Sequence, residues 1–213
     1  MTSVKKMAAA VLLIAGAATA QAQVAVGSLW HVPESVVDSA TGATFGNVPG
    51  TTPDVTFSVN SPFNFSGDSV TVGTWLASSG AFNITQNTPG TLASLMDGGT
   101  PQLGTIVTFS GVVTVTNGMT FTATHDDGLT LRIGSLDVIS VPGPTSPSLT
   151  TVTYTGPSGN LPFSLVYSEC CGGPAVLQIS LPFTAPVPEP ETYALMLAGL
   201  GALGWVSRRR RHA

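Results

Sequence analysis

The sequence predicts an all-β domain, an antiparallel β-sandwich of jelly-roll-like form. It lies between an N-terminal signal peptide and a C-terminal short transmembrane sorting helix. Three observations predict the sandwich. Apolar residues recur with a period of two along residues 23–185, Gly, Pro and Asn punctuate the runs, and no stretch between them shows a capped helical period.

Taken in chain order, residues 55–59, 69–75 and 81–84 read as short strands separated by Pro, Gly and Asn. In 107–116, Val107, Phe109, Val113 and Val115 alternate with Thr108, Ser110, Thr114 and Thr116. Asn117-Gly118 then supplies a two-residue turn of hairpin type. The return strand, 119–124, puts Met119, Phe121 and Ala123 inward and three threonines outward. After Asp126-Asp127-Gly128, Leu129, Leu131 and Ile133 alternate again, and 136–141 and 150–154 follow as further strands. Leu161, Phe163, Leu165 and Tyr167 form the next alternation, and Leu177, Ile179 and Leu181 close the domain. Pro142, Pro144 and Pro147 mark a surface loop. Trp30 and Trp75 are the right type to stack on sugar faces, but Trp more commonly packs in a core.

The chain has 213 residues, 8% charged, with 7 basic residues against 11 acidic ones and a net charge of -4. Between Lys6 and Arg208 there is a single basic residue, Arg132, and all the carboxylates. Such a surface repels phosphate backbones, which excludes nucleic acid as a partner and leaves divalent cations and neutral glycans.

Residues 1–22 read as a secretory signal peptide, implying Sec-type export. Lys5 and Lys6 give a positive start, residues 7–17 a short apolar core, and Ala18-Thr19-Ala20 or Ala20-Gln21-Ala22 a cleavage site. Residues 186–213 carry Pro188-Glu189-Pro190, an uncharged run over 192–206, and the cluster Arg208, Arg209, Arg210 and Arg211. As a helix that run spans roughly 22 Å, short of a hydrocarbon core of about 30 Å. The arginines would hold the end in the cytoplasm. In motif, order and position this tail resembles the PEP-CTERM signal. That signal is the tag read by exosortase-type transpeptidases of Gram-negative bacteria that make exopolysaccharide. The resemblance implies a protein tethered transiently at the inner membrane, then passed to the cell surface or extracellular matrix.

Catalytic motifs are missing from the domain. It has no Gly-rich phosphate loop, no G-x-S-x-G elbow and only His31 and His125 as histidines, so no enzyme is expected. Asp126 and Asp127 are adjacent, which does not set them across a glycosidic bond. On turn chemistry alone, Asp126-Asp127-Gly128 is a hairpin turn. In its setting, before a strand patterned Leu-x-Leu-x-Ile-Gly, it resembles the β-sandwich family named for the anthrax-toxin protective antigen. That family includes flocculin and epithelial-adhesin lectin domains. There the paired aspartates, joined by a cis peptide, point at one Ca2+ that also binds sugar hydroxyls. A second match, 165–173, is similar to the late strand of those lectins, which ends in Val-Tyr-Ser before a calcium-ligating Asn. Carried over, the Asn position is Glu169, and the backbone carbonyls of Cys171 and Gly173 complete the set. Glu in place of Asn adds a third negative charge, which favours the cation and crowds a sugar.

Cys170 and Cys171 are adjacent. A vicinal disulfide that stiffens the loop is one reading; free thiols, an intermolecular bond or soft-metal binding are the others. The resulting expectation is an exported, exosortase-processed surface or matrix protein. Its sandwich would bind Ca2+ through Asp126, Asp127 and Glu169 and act in adhesion or exopolysaccharide association. Two alternatives stand beside it: a structural sandwich without a ligand site, and an enzyme acting on polysaccharide.

Overall fold

The computed structural model describes residues 24–99, 101–181 and 199–200. The expected leader at 1–22 lies outside them. So do Pro188, Glu189, Pro190 and Arg208 to Arg211, and all of the expected sorting helix except Gly199 and Leu200, which are helical. Among the described residues no helix is long and apolar enough to cross a membrane.

Two antiparallel sheets pack face to face. The larger has seven strands in the order β4 (Phe82–Gln86), β2 (Val55–Asn60), β1 (Val24–Pro33), β5 (Leu103–Val115), β10 (Gly159–Glu169), β7 (Leu129–Ile133) and β8 (Leu136–Val141). The smaller has four: β3 (Phe63–Gly67), β11 (Ala175–Ile179), β6 (Thr120–Asp126) and β9 (Ser148–Thr153). The alternation read in the sequence supplies the core. Phe109, Val113, Phe163, Leu165 and Tyr167 from the large sheet meet Phe65, Phe121, Leu177 and Ile179 from the small one. β5 and β10 form the spine, in register from Gly159 opposite Val115 to Glu169 opposite Thr105. That register carries Glu169 to one end of the sandwich.

A second apolar cluster covers the outer face of the large sheet at the same end. Trp30, Val32, Ile106, Val166 and Cys170 pack there under Val37 and Ala43, contributed by the short helix α1 (Glu34–Val37) and the loop after it. Both faces of the end of β10 are therefore covered, and residues 165–170 are all buried rather than alternating. Thr105, Ser168 and Glu169 at this end are fully buried.

Three local expectations change. Residues 69–75 are not a strand; Val72–Ser78 form helix α2. Thr71 caps it by accepting the Thr74 N–H at 3.3 Å, and Val72, Trp75 and Leu76 face the core at helical spacing. Trp75 stacks on Phe65, with ring centroids 4.2 Å apart, so it is a core residue and not a sugar platform. Second, Asn117-Gly118 does not close a hairpin, because β5 and β6 belong to different sheets. Third, β1 and β3 lie where no strand was expected. In β1 the outward residues are Val24 and Val26, while the inward face has Ala25 and Gly27, so its polarity pattern runs against the usual sense. Gly27 is small of necessity: a Cβ there would stand 2.2 Å from the Phe57 ring.

Candidate cation-binding site

Asp126 is the last residue of β6 and Leu129 the first of β7, and these strands lie in opposite sheets. Asp126-Asp127-Gly128 is thus the corner where the chain crosses the sandwich, which corrects the hairpin-turn reading. The Asp126–Asp127 peptide bond is cis. Gly128 follows because a Cβ at that point would lie 2.4 Å from the Pro142 carbonyl and 2.6 Å from Ser168 Oγ.

The corner opens onto a pocket of about 400 Å³. Asp126 and Asp127 form one wall, the 144–147 loop a second, and Cys171, Gly172, Gly173 and Pro174 a third. Four of the five expected ligand positions therefore meet around one space: both aspartates, Cys171 and Gly173. Glu169 does not line it. Its side chain is fully buried, as is Tyr167, whose hydroxyl contacts both the Asp126 carbonyl and Glu169 Oε2.

Each acid is held differently. The Asp127 carboxylate accepts the Cys170 N–H at 2.8 Å and the Thr145 N–H at 3.0 Å, which fixes its orientation. Its own carbonyl accepts from His125 Nδ1 at 2.6 Å. Burial raises the pKa of Asp127, and those two N–H bonds pull against it. Asp126 is pushed up to about 7, by burial first and then by the charge of Asp127 and a hydrogen bond to it. Glu169 is pushed up to about 10, chiefly by burial, with Asp127, Asp126 and Asp97 adding repulsion. A protonated Glu169 also suits the geometry. The Tyr167 hydrogen can go to the Asp126 carbonyl while the Glu169 carboxyl donates to the phenol oxygen. Glu169 Oε1 has no hydrogen-bond partner.

Asp97 completes the acidic cluster and was not foreseen in the sequence. Its carboxylate accepts the Gly172 N–H at 2.8 Å, tying the 171–173 loop to the segment before β5. Arg132, the one basic residue in this region, is engaged elsewhere. Its Nε meets Asp137 at 2.7 Å, and its guanidinium lies 4.7 Å over the Phe45 ring.

Cys170 and Cys171 form a disulfide. Among the described residues, one His/Cys/Asp/Glu trio brings its ligand atoms within 4.8 Å of one another: Asp38, Cys170 and Cys171. The disulfide occupies both sulfurs, so this trio offers no thiolates to a soft metal. Asp126, Asp127 and Glu169 stand further apart than that as a set. The lining includes two carboxylates, Asp126 and Asp127, and two hydroxyl residues, Thr145 and Ser146, and oxygen groups of that kind suit a hard divalent cation.

These features define an all-β sandwich with an acidic corner pocket. Residues 186–211 match the PEP-CTERM protein-sorting motif, the mark of an exported protein processed at the membrane. Two solved structures are similar in outline. One is a PA14 sugar-binding domain from an RTX adhesin, at 20% identity and a TM-score of 0.49, covering 75% of this chain and 89% of that one. The other is the PA14 domain of the antifreeze protein MpAFP, at 20% identity and a TM-score of 0.48, covering 76% and 86%. No curated protein matches the chain in sequence.

Proposed function

We propose that residues 23–185 form a Ca2+-dependent carbohydrate-binding sandwich of an exported surface or matrix protein. After Sec-type export and exosortase processing of the 186–213 tail, it would act in adhesion or exopolysaccharide association. One observation carries the reading. Two adjacent carboxyl groups sit at the corner between the sheets, lining a pocket, with two further buried or half-buried acids, Glu169 and Asp97, near them, and the one Arg among the described residues, Arg132, is paired with Asp137 instead.

Asp126, Asp127 and Glu169 would supply carboxylate oxygens to the ion, and Cys171 and Gly173 backbone carbonyls. The unpartnered Oε1 is the oxygen that Glu169 has to offer. Bound Ca2+ would supply a positive centre with coordination positions left for sugar hydroxyls. The chain's own residues shape that position. Cys170 and Thr145 N–H groups orient Asp127, Asp97 holds the 171–173 loop, and the disulfide stiffens it.

A glycan array probed with the domain in Ca2+ and in EDTA tests this. The reading expects binding in Ca2+ only, and none for an Asp126→Asn/Asp127→Asn double variant. Binding that ignores both changes refutes the role of the cation site, and none under any condition leaves a structural sandwich instead.

A further inference from the structure

The two sheets have four edge strands, β4 and β8 in the large sheet and β3 and β9 in the small one. An open edge is a template for a further strand unless it is capped, bulged or charged. Three of the four are protected in this way. Along β3 the outward N–H groups of Asn64 and Ser66 donate to Ser79 Oγ at 2.9 Å and Ser78 Oγ at 3.0 Å, so the end of helix α2 closes that edge. β4 pairs with β2 through a register shift and holds Asn83 at a φ of 51°. β8 pairs with β7 through another shift and carries Asp137.

β9 has none of these devices. It pairs with β6 in unbroken register from Thr153 opposite Thr120 to Ser148 opposite His125, and its 6 residues, Ser-Leu-Thr-Thr-Val-Thr, include no charge and no Pro. The hydrogen-bond phase is set just beyond the strand, where the Tyr154 N–H donates to the Met119 carbonyl at 2.8 Å. Val152, Thr150 and Ser148 therefore bond toward β6, and the N–H and C=O groups of Leu149, Thr151 and Thr153 point away from the sheet. Among the described residues no hydrogen bond reaches those outward groups. Leu149 is also 68% exposed, more than any other large apolar side chain among the described residues.

We propose that β9 pairs antiparallel with β9 of a second copy of this chain, about a two-fold axis at Thr151. The strand's own sequence selects that register. Centred there, Thr151 exchanges both backbone bonds with the partner's Thr151, and Leu149 does so with the partner's Thr153, so every outward group is satisfied. Slipping one way sets Thr153 against the partner's Pro147, which has no N–H. Slipping the other way sets Leu149 against the partner's Thr155, whose carbonyl is already engaged by Asn117 Nδ2 at 2.9 Å. The chosen register also makes β-branched cross-strand pairs, Thr151 with Thr151 and Thr150 with the partner's Val152. Charge favours a copy as well, since two chains of net charge -4 approach each other best through an uncharged edge. The chain's own continuation is a poor substitute: 182–191 contains Pro182, Pro186, Pro188 and Pro190, which lack ladder donors. One strand pair is smaller than a standard interface of about 1,600 Å², so the dimer is a weak one suited to a crowded surface or matrix. Antiparallel pairing reverses the second copy, and the acidic pocket lies at the Ser148 end of β9, where the Thr145 N–H holds Asp127. The two pockets then face opposite ways and bridge two glycans; this consequence rests on the proposed function, whereas the pairing does not.

Sedimentation of the full chain in zwitterionic detergent, over about 10 µM to 1 mM and without Ca2+ or glycan, tests the pairing apart from the cation site. A concentration-dependent dimer is expected. Thr151→Lys and Thr151→Glu each set like charges face to face across the axis, so each alone should weaken the dimer about tenfold or more. An equimolar mixture of the two variants should restore it, because Lys then faces Glu. A chain that stays monomeric throughout overturns the proposal. So does a dimer indifferent to Thr151, which is held elsewhere, or a loss that mixing does not repair, which leaves the edge to a different partner. If either variant melts early, amide exchange of the wild type decides. Exchange at Leu149, Thr151 and Thr153 must slow as concentration rises, and rates independent of concentration refute the pairing.

Discussion

Glu169 makes stability fall as pH rises in the absence of a cation. In the unfolded chain its pKa is near the ordinary 4.5, and in the folded protein it is pushed up to about 10. Between these values the native state holds a proton that the unfolded state has released. Stability is then complete below about pH 4.5 and declines by about 1.4 kcal/mol per pH unit through this window. From about pH 5.5 to 7.5 the loss is on the order of 2–3 kcal/mol. Asp126, pushed up to about 7, adds to the decline in the same direction. The Arg132–Asp137 pair does not offset it, since the Asp137 pKa is lowered and its titration lies below this range. Urea unfolding followed by the fluorescence of buried Trp75, in chelator, measures the slope. Glu169→Gln keeps the shape and a partner for Tyr167 but removes the titration, so its slope is expected to be much shallower. Saturating Ca2+ should also flatten the slope, because coordination favours the ionised acids. An equal slope in Glu169→Gln refutes the reasoning; His31, whose pKa burial lowers, raises stability with pH in both proteins alike and leaves their difference intact.

Other consequences are directly measurable. Tyr167→Phe removes the hydroxyl shared by the Asp126 carbonyl and Glu169, leaving buried acceptors unmatched, and should cost about 1–3 kcal/mol in denaturant unfolding. Trp75→Ala empties the centre of the stack with Phe65 and Tyr167 and should cost about 3–5 kcal/mol by the same assay. Gly27→Ala drives a Cβ into the Phe57 ring; a loss of about 1–3 kcal/mol is expected, restored in part by Phe57→Leu. Reducing the Cys170–Cys171 bond frees the loop that lines the pocket, so Ca2+ affinity should drop while the melting temperature in chelator changes little.

The strands with regular inward alternation were legible because residues such as Phe109, Phe121, Leu131 and Phe163 mark a single buried face each. Which sheet a strand joins was not. Asn117-Gly118 has the local chemistry of a hairpin, and only pairing of β6 with β9 and β11 shows that the chain changes sheets there. Helix α2 spans seven residues, too few for a helical period to stand out beside β-branched neighbours. β1 escaped because a small inward face accommodates Phe57 from the adjacent strand. At the pocket, Asp126, Asp127, Cys171 and Gly173 were found from motif resemblance, and they do converge. Asp97 and Thr145 reach the cluster through backbone N–H contacts across long sequence separations, which no local pattern encodes. Glu169 follows Leu165 and Tyr167 onto the inward face of β10, where its carboxyl meets the Tyr167 hydroxyl, and its full burial there rests on packing across the sandwich that a strand-by-strand reading does not give.

Calorimetric titration of Ca2+ into the chelator-treated domain, beside Asp126→Ala/Asp127→Ala, tests the central claim most directly. The account predicts saturable binding of one ion per chain in the wild type, accompanied by proton release near neutral pH, and no binding in the double variant. Absence of heat, together with a melting temperature that is the same in Ca2+ and in EDTA, would contradict it.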